Sequence, residues 1–188
     1  MIEIISPTQF KTVPWKNGKG ETIEMAINSG GTLDEFDWRL SMASVVEDGI
    51  FSNFSGYTRN LILIAGDGIN LQHNDSKIDK LTHLLDYATF DGGNKTVGNL
   101  PSGEITDFNV ITRSKSISAS VACLKNKQSY NVENAELCFI YSLQETFQLN
   151  DGNSTSTIPA QHLVKVSENN AKMLINGEQI IVVYLHKR

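Results

Sequence analysis

Four short stretches carry the residues that could do chemistry. The first is Pro14-Trp15-Lys16-Asn17-Gly18-Lys19-Gly20-Glu21-Thr22. Trp15 offers a flat apolar face, Lys16 a cation, and Asn17 both a donor and an acceptor. Glycines at 18 and 20 let the backbone turn tightly or approach a ligand closely. That set suits a planar ligand bearing a carboxylate. A surface turn with Trp15 tucked onto the core fits the same residues.

The second stretch is Asp37-Trp38-Arg39-Leu40-Ser41-Met42. In a strand, alternate side chains share a face, so Arg39 and Ser41 point opposite to Trp38, Leu40 and Met42. If the polar face is inside, Arg39 is a buried guanidinium that needs an anion. If it is outside, Arg39 is solvated; alternation leaves both open. The third stretch holds Phe54, Gly56, Tyr57 and Arg59. In the fourth, Asp107 could hold a cation and Asn109 could bond a ligand, with Arg113 close by. Asx turns account for Asp and Asn in such places equally well.

Metal and nucleophile chemistry find little support. The four histidines are His73, His83, His162 and His186, with no His-x-His pair and none at i, i+4. Metal sites draw several ligands from close spacings, so neither a metal nor another cofactor is expected. The lone histidines read as surface or loop residues. There is no Gly-x-Ser-x-Gly elbow, phosphate loop or dinucleotide fingerprint.

The elements that must position these residues are strands. Residues 22–27, 38–42, 61–65, 69–72, 117–123, 136–143, 145–149, 163–166, 172–175 and 179–185 read as strands by alternation or as short apolar runs. Gly66-Asp67-Gly68, Asp151-Gly152-Asn153, Asn169-Asn170 and Asn176-Gly177 read as turns between them, the first and last as hairpins. One short helix is expected at Ser6-Pro7-Thr8-Gln9-Phe10, with Ser at the N-cap and Pro at the first helical position. The pattern predicts an all-β barrel or sandwich with few short helices. It is compatible with two barrel-like halves, about 1–115 and 116–188, in one compact domain spanning 1–188.

Composition narrows the partners. The chain has 188 residues and a formal net charge of −5, without a basic run. Nucleic acid and anionic membrane surfaces both need clustered Lys or Arg, so neither is an expected partner. One or two cations inside a pocket remain available for a small anion. Residues 1–18 hold no apolar core of signal-peptide length, and the longest apolar runs are too short to span a bilayer. A cytoplasmic, reducing location is expected, with Cys123 and Cys138 as free thiols.

Taken in order, the residues at 14–22, Phe-Asp-Trp-Arg-Leu-Ser-Met-Ala at 36–43, Asp-Gly-x-Phe-Ser-x-Phe-x-Gly at 48–56 with Arg59, and Asp-Phe-Asn-Val-Ile-Thr-Arg at 107–113 resemble the HutD/Ves family. The resemblance covers nearly the whole chain. It departs at Lys19, at Ser55 and in the polar stretch 72–81. It implies a cupin-type fold of two barrel-like halves without a metal site or established catalysis. It also implies a regulatory or accessory role in histidine utilisation, sensing a small carboxylate such as urocanate or formylglutamate. By position it assigns Trp15, Lys16, Asn17, Arg39, Ser41, Arg59 and Asn109 to a ligand pocket. Two other classes stay open. A metal-independent isomerase or hydrolase would draw on Glu21, His73, His83 or Asp107, and a protein-interaction module would need no pocket. A homodimer is compatible with all three.

Overall fold

The computed structural model describes residues 1–15, 20–167 and 172–188. Among these the only helix is a 3-10 turn at Pro7–Gln9, where Ser6 and Pro7 place the expected helix start. Everything else regular is strand, as the alternation predicts. In chain order the strands are β1 (Ile2–Ile5), β2 (Lys11–Pro14), β3 (Glu21–Ile27), β4 (Trp38–Val45), β5 (Gly49–Ile50) and β6 (Tyr57–Ala65). Next come β7 (Ile69–His73), β8 (Lys77–Leu81), β9 (Tyr87–Asp91), β10 (Thr96–Asn99), β11 (Ile105–Arg113) and β12 (Ile117–Leu124). The last are β13 (Gln128–Val132), β14 (Leu137–Ser142), β15 (Phe147–Asn150), β16 (Thr155–Ile158), β17 (Leu163–Ser167), β18 (Met173–Gly177) and β19 (Ile180–Lys187).

The chain divides into two compact units. One comprises Phe10–Ser118 with Arg188, the other Met1–Gln9 with Ala119–Lys187. In the first, a six-stranded sheet (β2-β3-β4-β11-β6-β9) faces a four-stranded one (β5-β10-β7-β8). Leu61, Leu63, Ala88, Phe90, Val45 and Ile105 from the larger sheet meet Ile69, Leu71 and Leu81 from the smaller. In the second, a five-stranded sheet (β1-β17-β14-β19-β12) faces a four-stranded one (β13-β18-β15-β16). Its core joins Cys138, Ile140, Val164 and Val182 to Phe147, Ile158, Met173 and Ile175.

Two expected hairpins are corners instead. Gly66-Asp67-Gly68 carries the chain from β6 in the larger sheet to β7 in the smaller, and those strands do not pair. Asn176-Gly177 stays inside β18, and the chain then leaves for β19 in the other sheet. Sheet switching of this kind lets strands adjacent in sequence face each other across a core. The Asp151-Gly152-Asn153 turn does join a hairpin, β15 to β16. Asn169-Asn170 lies outside the described residues. Cys123 and Cys138 are free thiols; Cys138 is fully buried and its thiol is pushed up to about 12 by burial.

Candidate anion-binding site

The register of the six-stranded sheet decides which side chains meet. Across β3, β4, β11 and β6, Glu24 lies opposite Ser41, Ser41 opposite Asn109, and Asn109 opposite Leu61. In the next row Arg39 and Arg59 flank Ile111 from either side, and on the other side Ala43 and Leu63 flank Asp107. Cross-strand partners share a face. So Glu24, Arg39, Ser41, Arg59, Asp107 and Asn109 all face the same way as Leu61, Leu63 and Phe90, toward the core. Of the two orientations open to Arg39, the inward one holds: the polar face is inside, and Arg39 is only 6% exposed. The opposite face is buried too, since Leu40, Ile62, Phe108 and Val110 are inaccessible.

Each buried charge has found a partner. Arg39 Nε donates to Glu24 Oε2 at 2.8 Å, a buried ion pair. Glu24 can reach it because a bulge in β3 between Glu24 and Ala26 keeps the carboxylate on the inner face. Arg59 Nη2 donates to Asn109 Oδ1 at 2.6 Å, and Asn109 Nδ2 donates to Asp107 Oδ1 at 2.5 Å. The Arg59 guanidinium also lies 5.2, 5.6 and 5.4 Å from the ring centres of Phe51, Phe54 and Phe90. These are cation–π distances, and the rings keep water away from the charge.

Two polar atoms in this cluster remain unsatisfied. Among the described residues Arg59 Nε donates no hydrogen bond and Asp107 Oδ2 accepts none, and both are buried. Buried polar groups are nearly always paired, so such atoms call for an explanation. Burial pushes the Asp107 carboxyl up to about 6, against the opposing effects of Arg59, the Asn109 bond and the Ala43 backbone. Burial lowers Arg59 to about 10, with Asp107 opposing, so Arg59 stays charged at neutral pH.

The surface or loop position that its isolation suggests for His73 is not what forms: the residue is buried, 2% exposed. It lies on β7, its ring 4.5 Å from that of Phe90. One ring nitrogen bonds Thr96 Oγ1 at 2.9 Å and the other bonds Asp79 Oδ2 at 3.2 Å. Burial lowers its pKa, with Asp79 opposing and Lys77 and Arg59 adding to the fall. Both nitrogens are engaged, so His73 could act as a base only by breaking one of these bonds. Sequence reading misses its burial because nothing about an isolated His marks it as internal. It misses Glu24 as well, although alternation with Thr22 places both on one face.

The expected site residues divide as follows. Arg39, Ser41, Arg59 and Asn109 come together on the inner face. Trp15 is half-buried and its Nε1 donates to Thr22 Oγ1 at 2.8 Å. Its ring packs against Gly20, where a Cβ would sit 3.0 Å from the ring, so a larger residue there would make Trp15 give way by a few tenths of an ångström. Thr22 is opposite Ala43, two positions along β4 from Ser41. Lys16 and Asn17 lie outside the described residues. Surface clefts of about 460 Å³ and 220 Å³ lie elsewhere, at 127–129, 145–148 and 176–178, and at 28–37 with Arg113. Among the described residues no group of three His, Cys, Asp or Glu is placed to hold a metal ion. None of the helices described is long and apolar enough to cross a membrane.

Comparison with known proteins gives these residues a setting. A 21.2 kDa protein in the hutC 3′ region of Pseudomonas putida is 37% identical over 58% of this chain and 57% of that protein. Protein Ves of Escherichia fergusonii is 38% identical over 57% of the chain and 56% of its own length. The matched segment thus spans a little over half the length of these relatives. HutD from Pseudomonas fluorescens SBW25, whose structure was obtained in a formate condition, matches all of both chains at 25% identity and a TM-score of 0.86. The fold is the cupin-type all-β fold of these proteins. The HutD family model matches residues 7–183, nearly the full length, and the chain belongs to the HutD family.

Proposed function

We propose that this protein binds a small carboxylate metabolite at Arg59 and serves histidine utilisation as a regulatory or accessory protein in the cytoplasm. The observation that carries this reading is the buried Arg59 guanidinium whose Nε has no partner among the described residues. A charge held among three phenyl rings is costly to leave partly unsatisfied, and a carboxylate is the group that matches a guanidinium edge. Ser41 and the Arg39–Glu24 pair supply polar contacts on the same face. The two engaged nitrogens of His73 argue against catalysis by that residue.

The test is a thermal-shift panel with urocanate, formylglutamate, glutamate, histidine and formate. A ligand at a hundred times its Kd adds about 2.7 kcal/mol, which is roughly 5–10 °C in a chain of this size. One carboxylate is expected to do this, and Arg59→Ala is expected to abolish the shift. A panel without any shift sinks the binding reading, and consumption of the stabilising ligand would replace it with an enzyme.

A further inference from the structure

The sum of charges inside the Phe10–Ser118 unit constrains what the site can hold. Arg39 is neutralised by Glu24 at 2.8 Å. Asp79 is matched by Lys77 at 3.0 Å, and burial disfavours the charged form of His73 beside it. Among the described residues that leaves Arg59 and Asp107, linked through Asn109. When Asp107 is ionised the interior sums to zero, and an anion arriving at Arg59 would add an unbalanced charge to a buried site. When Asp107 carries a proton the interior sums to one positive charge, which a monoanion cancels.

We propose that the Arg59 site takes up a monoanionic carboxylate together with one proton, which is carried by Asp107. This rests on the reading of Arg59 as the binding group. Geometry supports it independently: Asp107 Oδ2 is buried and has no partner among the described residues, so it can hold a proton without displacing any bond found there. Its neighbours from the surrounding strands provide no competing site. Ala43 and Leu63 flank it, Arg59 and the Arg39–Glu24 pair are already matched or permanently charged, and both His73 nitrogens are occupied. The carboxyl sits poised near pH 6, so the uptake falls in a physiological window. A second carboxylate on the ligand would have to lie outside this interior, because among the described residues nothing there offsets a second charge.

Formate titrated calorimetrically into the intact protein at pH 5.5, 7 and 8 tests this, with each pH run in two buffers of different ionisation enthalpy. The buffers count protons directly. Near one proton per formate is expected at pH 8, few at pH 5.5, and a Kd that rises about tenfold between pH 7 and 8. Asp107→Asn is expected to bind formate with no proton uptake and a flat Kd. Saturable, Arg59-dependent binding without proton uptake in the wild type overturns the coupling and leaves the binding reading standing. Proton uptake that persists in Asp107→Asn also overturns it, because another group then carries the proton. No saturable formate binding at any pH, in either protein, removes the coupling and the binding reading together.

Discussion

Asn109 joins Arg59 to Asp107 as an amide relay: its Oδ1 accepts from the guanidinium at 2.6 Å and its Nδ2 donates to the carboxyl at 2.5 Å. An amide is the only neutral side chain that accepts at one atom and donates at another in this way, short of an imidazole. The relay fixes both ends while leaving one atom of each, Arg59 Nε and Asp107 Oδ2, without a partner among the described residues.

Without ligand, stability should carry a component that falls as pH rises. Asp107 titrates near 6 when folded, against an unperturbed value of 3.8. The raised folded value means that its contribution is fully present below about 3.8 and is lost as pH rises through 6. Two units correspond to about 3 kcal/mol. Urea melts of wild type and Asp107→Asn between pH 4 and 7.5 should differ by a component of that sign; parallel curves would show that Asp107 titrates normally.

Truncating Arg59 should cost both binding and stability. Arg59→Ala leaves Asp107 buried without its counter-charge, a loss of about 3 kcal/mol at pH 7.5 that shrinks as pH falls toward 6, because Asp107 without Arg59 takes up its proton at a higher pH than in the wild type. Arg59→Lys keeps the charge but not the planar fork, so it should retain most of the stability and lose most of the carboxylate affinity. Equal carboxylate affinity in Arg59→Lys and wild type would contradict this.

Glu24 and Arg39 should behave as one unit. Glu24→Gln and Arg39→Met alone should each destabilise by about 3 kcal/mol, and the double variant by much less than the sum. Additive losses in chemical denaturation would mean that the pair is not coupled in solution.

Gly98 should control the aromatic box from a distance. A Cβ there would come within 2.5 Å of the Phe51 ring, which lies 5.2 Å from the Arg59 guanidinium. Gly98→Ala is expected to push Phe51 away and weaken carboxylate binding several-fold, with a smaller loss of stability. Unchanged affinity would show that Phe51 contributes nothing to the site.

Much of this is legible from residue order. Alternation in 38–42 places Arg39 and Ser41 on one face, and the fourth motif brings Asp107 and Asn109 into the argument. Alternation does not say which face is inside, because the answer depends on the neighbouring strands. At β4, β6 and β11 both faces are buried, so the polar positions are as internal as the apolar ones. The Arg39–Glu24 pair needs a bulge that shifts the register by one residue, and no sequence periodicity announces a bulge. His73 reads as exposed because its partners, Asp79 and Thr96, come from strands 6 and 23 positions away. The two corners that read as hairpins share a cause: Gly and Asn mark that the chain turns, and do not say whether it returns to the same sheet.

The pairing of β1 with β17 has a consequence for synthesis. The Ser167 amide bonds the Met1 carbonyl, 166 positions away, and the whole edge of the five-stranded sheet is built from such contacts. At about 5–20 residues per second the ribosome needs roughly 8–30 s to deliver the partner strand. The segment Phe10–Ser118 is complete in sequence long before then. Translation therefore imposes an order: the half that carries Arg59 can mature first, while β1 waits for a partner still to be made.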